Sequence, residues 1–129
     1  MRLLFLFLLF LCALSAAGPS IDGKWVWEKQ DYVRTPPFKT FLVVTYFEFQ
    51  RRDKVYSGHI SGGRPPQDEA LREIRLEGNR LTFVTGKPGG GGADLLTRWS
   101  GIVKGDSIEG TYTFVESGSF GNFKMIRSR

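Results

Sequence analysis

Few side chains in this sequence belong to types that do chemistry on their own. The 129 residues include one histidine, His59, and one cysteine, Cys12. Metal centres draw several ligands from such groups, so no multi-histidine or multi-thiolate site can be assembled. A lone histidine can serve as an axial haem ligand. Here, however, the alternation Tyr56-Ser57-Gly58-His59-Ile60 puts Tyr56, Gly58 and Ile60 inward and turns Ser57 and His59 outward. No metal and no cofactor is expected. Serines are plentiful, but the sole imidazole sits in Ser57-Gly58-His59-Ile60-Ser61, without the strained-elbow signature of a serine nucleophile. Glu116 shares parity with Tyr112 and Phe114 and is expected to point inward at a strand end. One inward carboxylate is not the pair that acid–base hydrolysis requires, so no residue is assigned a catalytic role. Gly86-Lys87-Pro88, followed by Gly89 to Gly92, lacks the upstream Gly and the following Ser/Thr of a phosphate loop, and no helix follows it. It reads as a flexible hairpin loop.

The informative chemistry is aromatic. Trp25, Trp27, Phe41, Phe47, Phe49, Tyr56, Phe83, Trp99, Tyr112, Phe114 and Phe123 fall at strand parity on one interior. Such a set either fills a narrow barrel or walls an apolar cavity. Inward Gly58, Gly101 and Gly110 are compatible with either outcome, leaving room or permitting tight coiling. The candidates for lining a ligand site are Trp27, Phe41, Tyr56, Trp99, Tyr112, Phe114 and Glu116.

The elements that must position these residues are strands. Around a Lys104-to-Ser107 turn, Trp99 to Phe114 alternates apolar and polar residues as paired antiparallel strands require. Looser copies lie at Ile74 to Phe83, around Gly78-Asn79, and at Phe47 to Ile60, around Asp53. The strands run from Gly23 to Lys29, Lys39 to Gln50, Val55 to Ser61, Arg72 to Glu77 and Arg80 to Gly86. The hairpin arms, extended to about Asp94 and Val115, and a last strand from Asn122 to Arg127 complete the set. Asp68 to Arg72 is at most one helical turn, and no stretch sustains a helical period. The fold class is all-β: an eight-stranded antiparallel up-and-down meander that closes into a β-barrel and so removes its edges. The linkers after strands two, four and six are tight, whereas those after one, three, five and seven are long and rich in Gly, Pro or Ser. A meander gathers these into a tight-turn end and a loop-rich end, and binding favours loops.

Residues 1–17 carry Arg2, an uncharged apolar run from Leu3 to Leu14 and then Ser15-Ala16-Ala17, the organisation of a cleaved signal peptide. The expected product is one domain, residues 18–129, secreted or periplasmic. The small residues that should precede a lipidated cysteine are absent before Cys12, so lipoprotein processing is not expected. Removing the leader takes away the only cysteine, leaving a hydrophobic core to hold the fold without disulfides. The apolar run is too short to span a bilayer, which takes about 20 residues. The formal net charge of the chain is +5, and its basic residues are interleaved with acids, as in Arg51-Arg52-Asp53-Lys54. No basic stripe marks a nucleic-acid footprint.

Gly23-Lys24-Trp25 resembles the Gly-x-Trp that opens the first strand in the calycin superfamily of lipocalins, fatty-acid-binding proteins and avidins. The resemblance implies that Trp25 packs across one end of the barrel with a basic residue of the last strand over it. Arg127, on the face shared with Phe123 and Met125, occupies the matching place. The repeated strand-Gly-Asp-x-apolar-x-Gly-Thr pattern is also similar to small exported bacterial barrels of unassigned function. No ligand is carried over.

Three functions follow as expectations. The first is a non-enzymatic binder of a small apolar or aromatic ligand entering between the long loops. The second is a protein-binding module or inhibitor, or a homodimer, using Leu42, Val44 and Tyr46. These residues make the outer face of the second strand apolar as well. The third is an enzyme with Glu116 at the barrel mouth.

Overall fold

Alternating side chains commit a segment to a sheet face, and the turns between segments decide which strands become neighbours. At the two-residue turns Asp53-Lys54, Gly78-Asn79 and Gly105-Asp106, the first residue takes a left-handed φ of 58°, 61° and 59°. Asp and Gly tolerate that conformation better than bulkier residues do, which is why tight reversals fall there. The structure, a computed structural model, describes residues 19–129; the expected leader and Cys12 lie outside the described residues. The strands are β1 (Gly23–Tyr32), β2 (Thr40–Arg52), β3 (Val55–Gly62), β4 (Gln67–Ala70), β5 (Arg72–Glu77), β6 (Arg80–Thr85), β7 (Thr97–Lys104), β8 (Ser107–Phe114) and β9 (Phe120–Arg127). All pair antiparallel in one sheet of order β4-β3-β2-β1-β9-β8-β7-β6-β5. First and last strands are thus neighbours, joined at Trp25↔Arg127 and Val26↔Ile126. The sheet curls into a nearly closed barrel, consistent with a calycin-like architecture.

There are nine strands rather than the expected eight. The additional one is β4, in a stretch expected to be loop and at most a helical turn. Gln67-Asp68-Glu69-Ala70 holds no β-branched or aromatic residue, so its strand character comes from pairing with β3 rather than from propensity. β4 and β5 run in the same direction with only Leu71 between them, and together they form one broken leg of the meander. The first half pairs with β3 and the second with β6. Leu71 is buried at the break, and its N–H donates to the Gly58 carbonyl at 2.9 Å. A Cβ on Gly58 would come within 2.9 Å of the Leu71 side chain, so this glycine admits the plug. A register shift between Arg72 and Arg75, with Glu73 at a φ of 52°, then re-aims the chain onto β6. Because the broken leg counts as one, Asp53-Lys54, Gly78-Asn79 and Gly105-Asp106 still gather at one end, and the longer loops gather at the other.

The core is largely aromatic. Trp25, Phe47, Phe49, Phe83, Trp99 and Phe123 are buried, with Ile21, Ile60, Leu81, Ile108 and Met125 among them. The Phe123 ring fills the space over Gly101, and a Cβ on Gly110 would meet the Ser100 carbonyl at 1.9 Å. These two glycines allow β7 and β8 to approach closely and coil; they do not open room.

The tight end is sealed by a layered arrangement. Ile21 is buried beneath Trp25, whose indole N–H donates to the Ile21 carbonyl at 2.9 Å. The Arg127 guanidinium lies 4.3 Å from the centre of the Trp25 ring. It donates to the carbonyls of Asp22 and Ser20 at 2.7 and 2.8 Å and to the Asp106 carboxylate at 3.1 Å. An Arg127→Gln variant keeps polarity but loses the stack and the fork. It should unfold about 2–4 kcal/mol more easily in urea.

Asp106 also accepts from Arg129. The hydrogen bond and charge of Arg129, and then those of Arg127, hold its carboxyl below the usual carboxylate range. Because the folded value is depressed, the stabilisation is fully present above the ordinary Asp value of about 3.9 and is lost as pH falls through the folded value. The stability difference between wild type and Asp106→Asn, measured in urea, should therefore hold from neutral pH down to about pH 4 and shrink below it.

Candidate functional site

The aromatic filling stops short of the loop-rich end. There the barrel opens into a cavity of about 300 Å³, at the lower limit of the usual range for ligand sites. Its wall and floor come from inward residues of β1, β2, β7 and β8. Trp27, Val43, Thr45, Thr97, Trp99, Tyr112 and Phe114 line it.

Trp99 forms the floor. Its indole N–H donates to the buried Thr85 hydroxyl at 2.9 Å, which fixes the ring. Phe83 stacks on it nearly parallel, 12° between planes at 5.5 Å, while Phe47 and Phe123 meet it edge-on from the core. On the cavity side, Trp27 meets Trp99 at 85° and 6.0 Å, and Tyr112 tilts against both indoles. Phe114 packs against Tyr112 at 5.7 Å. Edge-to-face geometry of this kind favours aromatic packing and presents ring faces and edges to an occupant. The Thr97 hydroxyl donates to the Leu95 carbonyl at 2.7 Å and is already satisfied.

The mouth is polar. Lys29, Asp31, Arg64 and Gln67 line it, together with loop residues Gly63, Pro65, Gly92, Ala93 and Leu95. Lys29 is the expected last residue of β1 and Asp31 lies in the part that runs beyond it, and both keep the inward parity of Trp25 and Trp27. The Arg64 guanidinium is held over the Phe41 ring at 4.5 Å. One Asp31 oxygen accepts the Tyr32 N–H at 2.8 Å. The Gln67 side-chain amide donates to the Ala93 carbonyl at 3.0 Å, tying β4 to the glycine-rich loop across the opening. That loop has internal order: Lys87 donates to the Asp94 carbonyl at 3.0 Å, and a short 3₁₀ turn spans Gly92–Asp94.

Of the seven residues chosen from the sequence for a ligand site, Trp27, Trp99, Tyr112 and Phe114 come together on the cavity, and three do not. Phe41 is half-buried at the rim under Arg64, outside the lining. Tyr56 packs at the tight-turn end, where Arg51, its partner across the β2–β3 pair, holds a guanidinium 5.8 Å from the ring centre. Glu116 follows the end of β8 and is exposed. It accepts the Gly89 N–H at 2.6 Å and gives the cavity no carboxylate. Parity stops governing direction once a strand ends, and β8 ends at Phe114.

His59 is exposed and paired with Asp68 of β4 on the outer face. Among the described residues no group of three or more His, Cys, Asp or Glu could hold a metal ion, and no helix is long and apolar enough to cross a membrane.

The sequence reading missed Lys29, Asp31, Val43, Thr45 and Thr97, all of which continue the parity of neighbouring core residues. It could not have found Gln67, because nothing local marks β4 as a strand. Comparison with protein-family models, with curated proteins and with solved structures gives no match.

Gln67→Ala should leave the core intact while freeing the loop that it tethers. The expected result is faster amide exchange and faster limited proteolysis across Gly89 to Gly92, with an unfolding midpoint close to wild type.

Proposed function

We propose that this chain is an exported, non-enzymatic binder of a small apolar or aromatic molecule, held in the cavity at the loop-rich end. The observation that carries the reading is the aromatic cup itself. A continuous cluster of buried side chains runs from Ile21 to Trp99, and the barrel is then left open above Trp99, where four aromatic side chains face a space of about 300 Å³. Filling that space with one larger core residue would be the simpler route to stability, since tight packing is the norm in protein interiors. Export is supported by the leader-like organisation of residues 1–17.

A second reading, a docking surface for a protein or a second copy, has its own observation. Leu42 and Tyr46 are 50% and 37% exposed on the outer face, with Val44 half-buried between them. Across the β1 and β9 pairings, Tyr46 is followed by Val26 and Ile126, so the apolar row crosses three strands. Sedimentation velocity decides it: a single monomeric species across a wide concentration range, with no partner recovered by pull-down from the source, removes this reading.

Thr45 is buried on β2 and lines the cup, so Thr45→Phe inserts a ring into the cavity. Native mass spectrometry of wild type purified from its source should show a bound small molecule that is released on denaturation, and Thr45→Phe should lose it while remaining folded by circular dichroism. An empty wild-type protein that also takes up no aromatic probe overturns the reading.

A further inference from the structure

The composition of the mouth points to the kind of molecule the cup accepts. We infer that the ligand is an aromatic anion, a flat apolar body with a single carboxylate-like group held at the opening by Lys29 and Arg64. This rests on the reading of the cavity as a ligand site and adds the charge and orientation of the occupant.

Two observations carry it. The first is the state of the polar groups in the cup. The Trp99 indole N–H is committed to Thr85, and the Thr97 hydroxyl to the Leu95 carbonyl. The other polar side chains of the cup, Thr45 and Tyr112, offer only neutral hydroxyls, so a charged group pushed down to the floor would leave water without a charged partner there, which is costly. The apolar end of the ligand therefore goes in first, and any charge stays at the mouth.

The second observation is the balance of charge there. The lining holds two cations, Lys29 and Arg64, and one carboxylate, Asp31. Among the described residues neither cation has a carboxylate within ion-pair distance. Asp31 turns one oxygen to the Tyr32 N–H of its own strand. Arg64 is also oriented in advance, because its guanidinium lies on Phe41. Stacking fixes the plane of the fork while leaving its edge N–H groups able to donate, the arrangement that suits a carboxylate. An aromatic cup of this kind could also hold an organic cation against its ring faces. Two unpaired cations at the entrance work against that choice.

The test compares three probes of one shape by titrating the intrinsic tryptophan fluorescence of the whole barrel: naphthoate, the neutral naphthylmethanol and the cationic naphthylmethylammonium. Naphthoate should bind about tenfold tighter than the alcohol at low salt, and added salt should erode that ratio. The ratio should collapse towards one in a Lys29→Met/Arg64→Met double variant, with folding checked by thermal melting. If that variant does not fold, the wild-type ratio and its salt dependence still decide the matter. Equal binding of acid and alcohol, or a preference for the ammonium probe, overturns the anionic ligand and leaves the cup reading standing. Failure of all three probes to bind removes the cup reading as well.

Discussion

The Trp99 indole is the contact on which both halves of this molecule depend. It is the last layer of the solid core and the floor of the cavity. Five aromatic rings from β1, β2, β6, β8 and β9 lean on it. A large ring in that role must not rotate, and the hydrogen bond to Thr85 prevents it. Buried indole N–H groups need an acceptor; here the acceptor is a buried hydroxyl on the adjacent strand, β6. Below Trp99 the barrel is closed by packing. Above it, the side chains that would continue the filling are too short or stand too far to the rim, and space remains.

The two ends are closed by different physics. At the tight end, short turns bring the strands together, and Arg127 covers Trp25 while satisfying the carbonyls of Ser20 and Asp22. At the other end, the long loops cannot pack so densely, and they are tied by single hydrogen bonds such as Gln67 to Ala93 and Glu116 to Gly89. The break at Leu71 belongs to the same logic. The closing seam of the sheet falls on one leg of the meander, whose two halves are its edge strands β4 and β5. The chain divides that leg between β3 and β6, and bridges the gap with Arg72 and Glu69, both hydrogen-bonded to the backbone of Gly86.

A cup with an aromatic interior and a charged mouth separates two tasks. Burial of ring surface supplies affinity without direction, since the hydrophobic effect scales with area. Polar groups at the opening supply orientation, because a charge is cheaper to keep near water than to bury. Lys29 and Asp31 alternate with Glu28, Gln30 and Tyr32 on the outer face of β1, so the same two-residue period that builds the core also delivers charge to the mouth.

The sequence by itself determined the all-β class, the turn positions, most of the core and the two-ended organisation. These rest on local rules: alternation of side chains, left-handed turn residues and the sequential pairing of meander neighbours. Trp27, Trp99, Tyr112 and Phe114 were legible as a group for the same reason. The tertiary structure alone decided the rest. Gln67 to Ala70 became a strand because β3 offered an unpaired edge, an influence that no local propensity expresses. Glu116 left the interior because β8 ended two residues earlier, and Tyr56 kept its inward parity but sat at the wrong end of the barrel. Parity gives the face of a sheet and not the depth along the axis. Depth follows from the register between strands, and register separated the rings that fill this barrel from the four that leave it open.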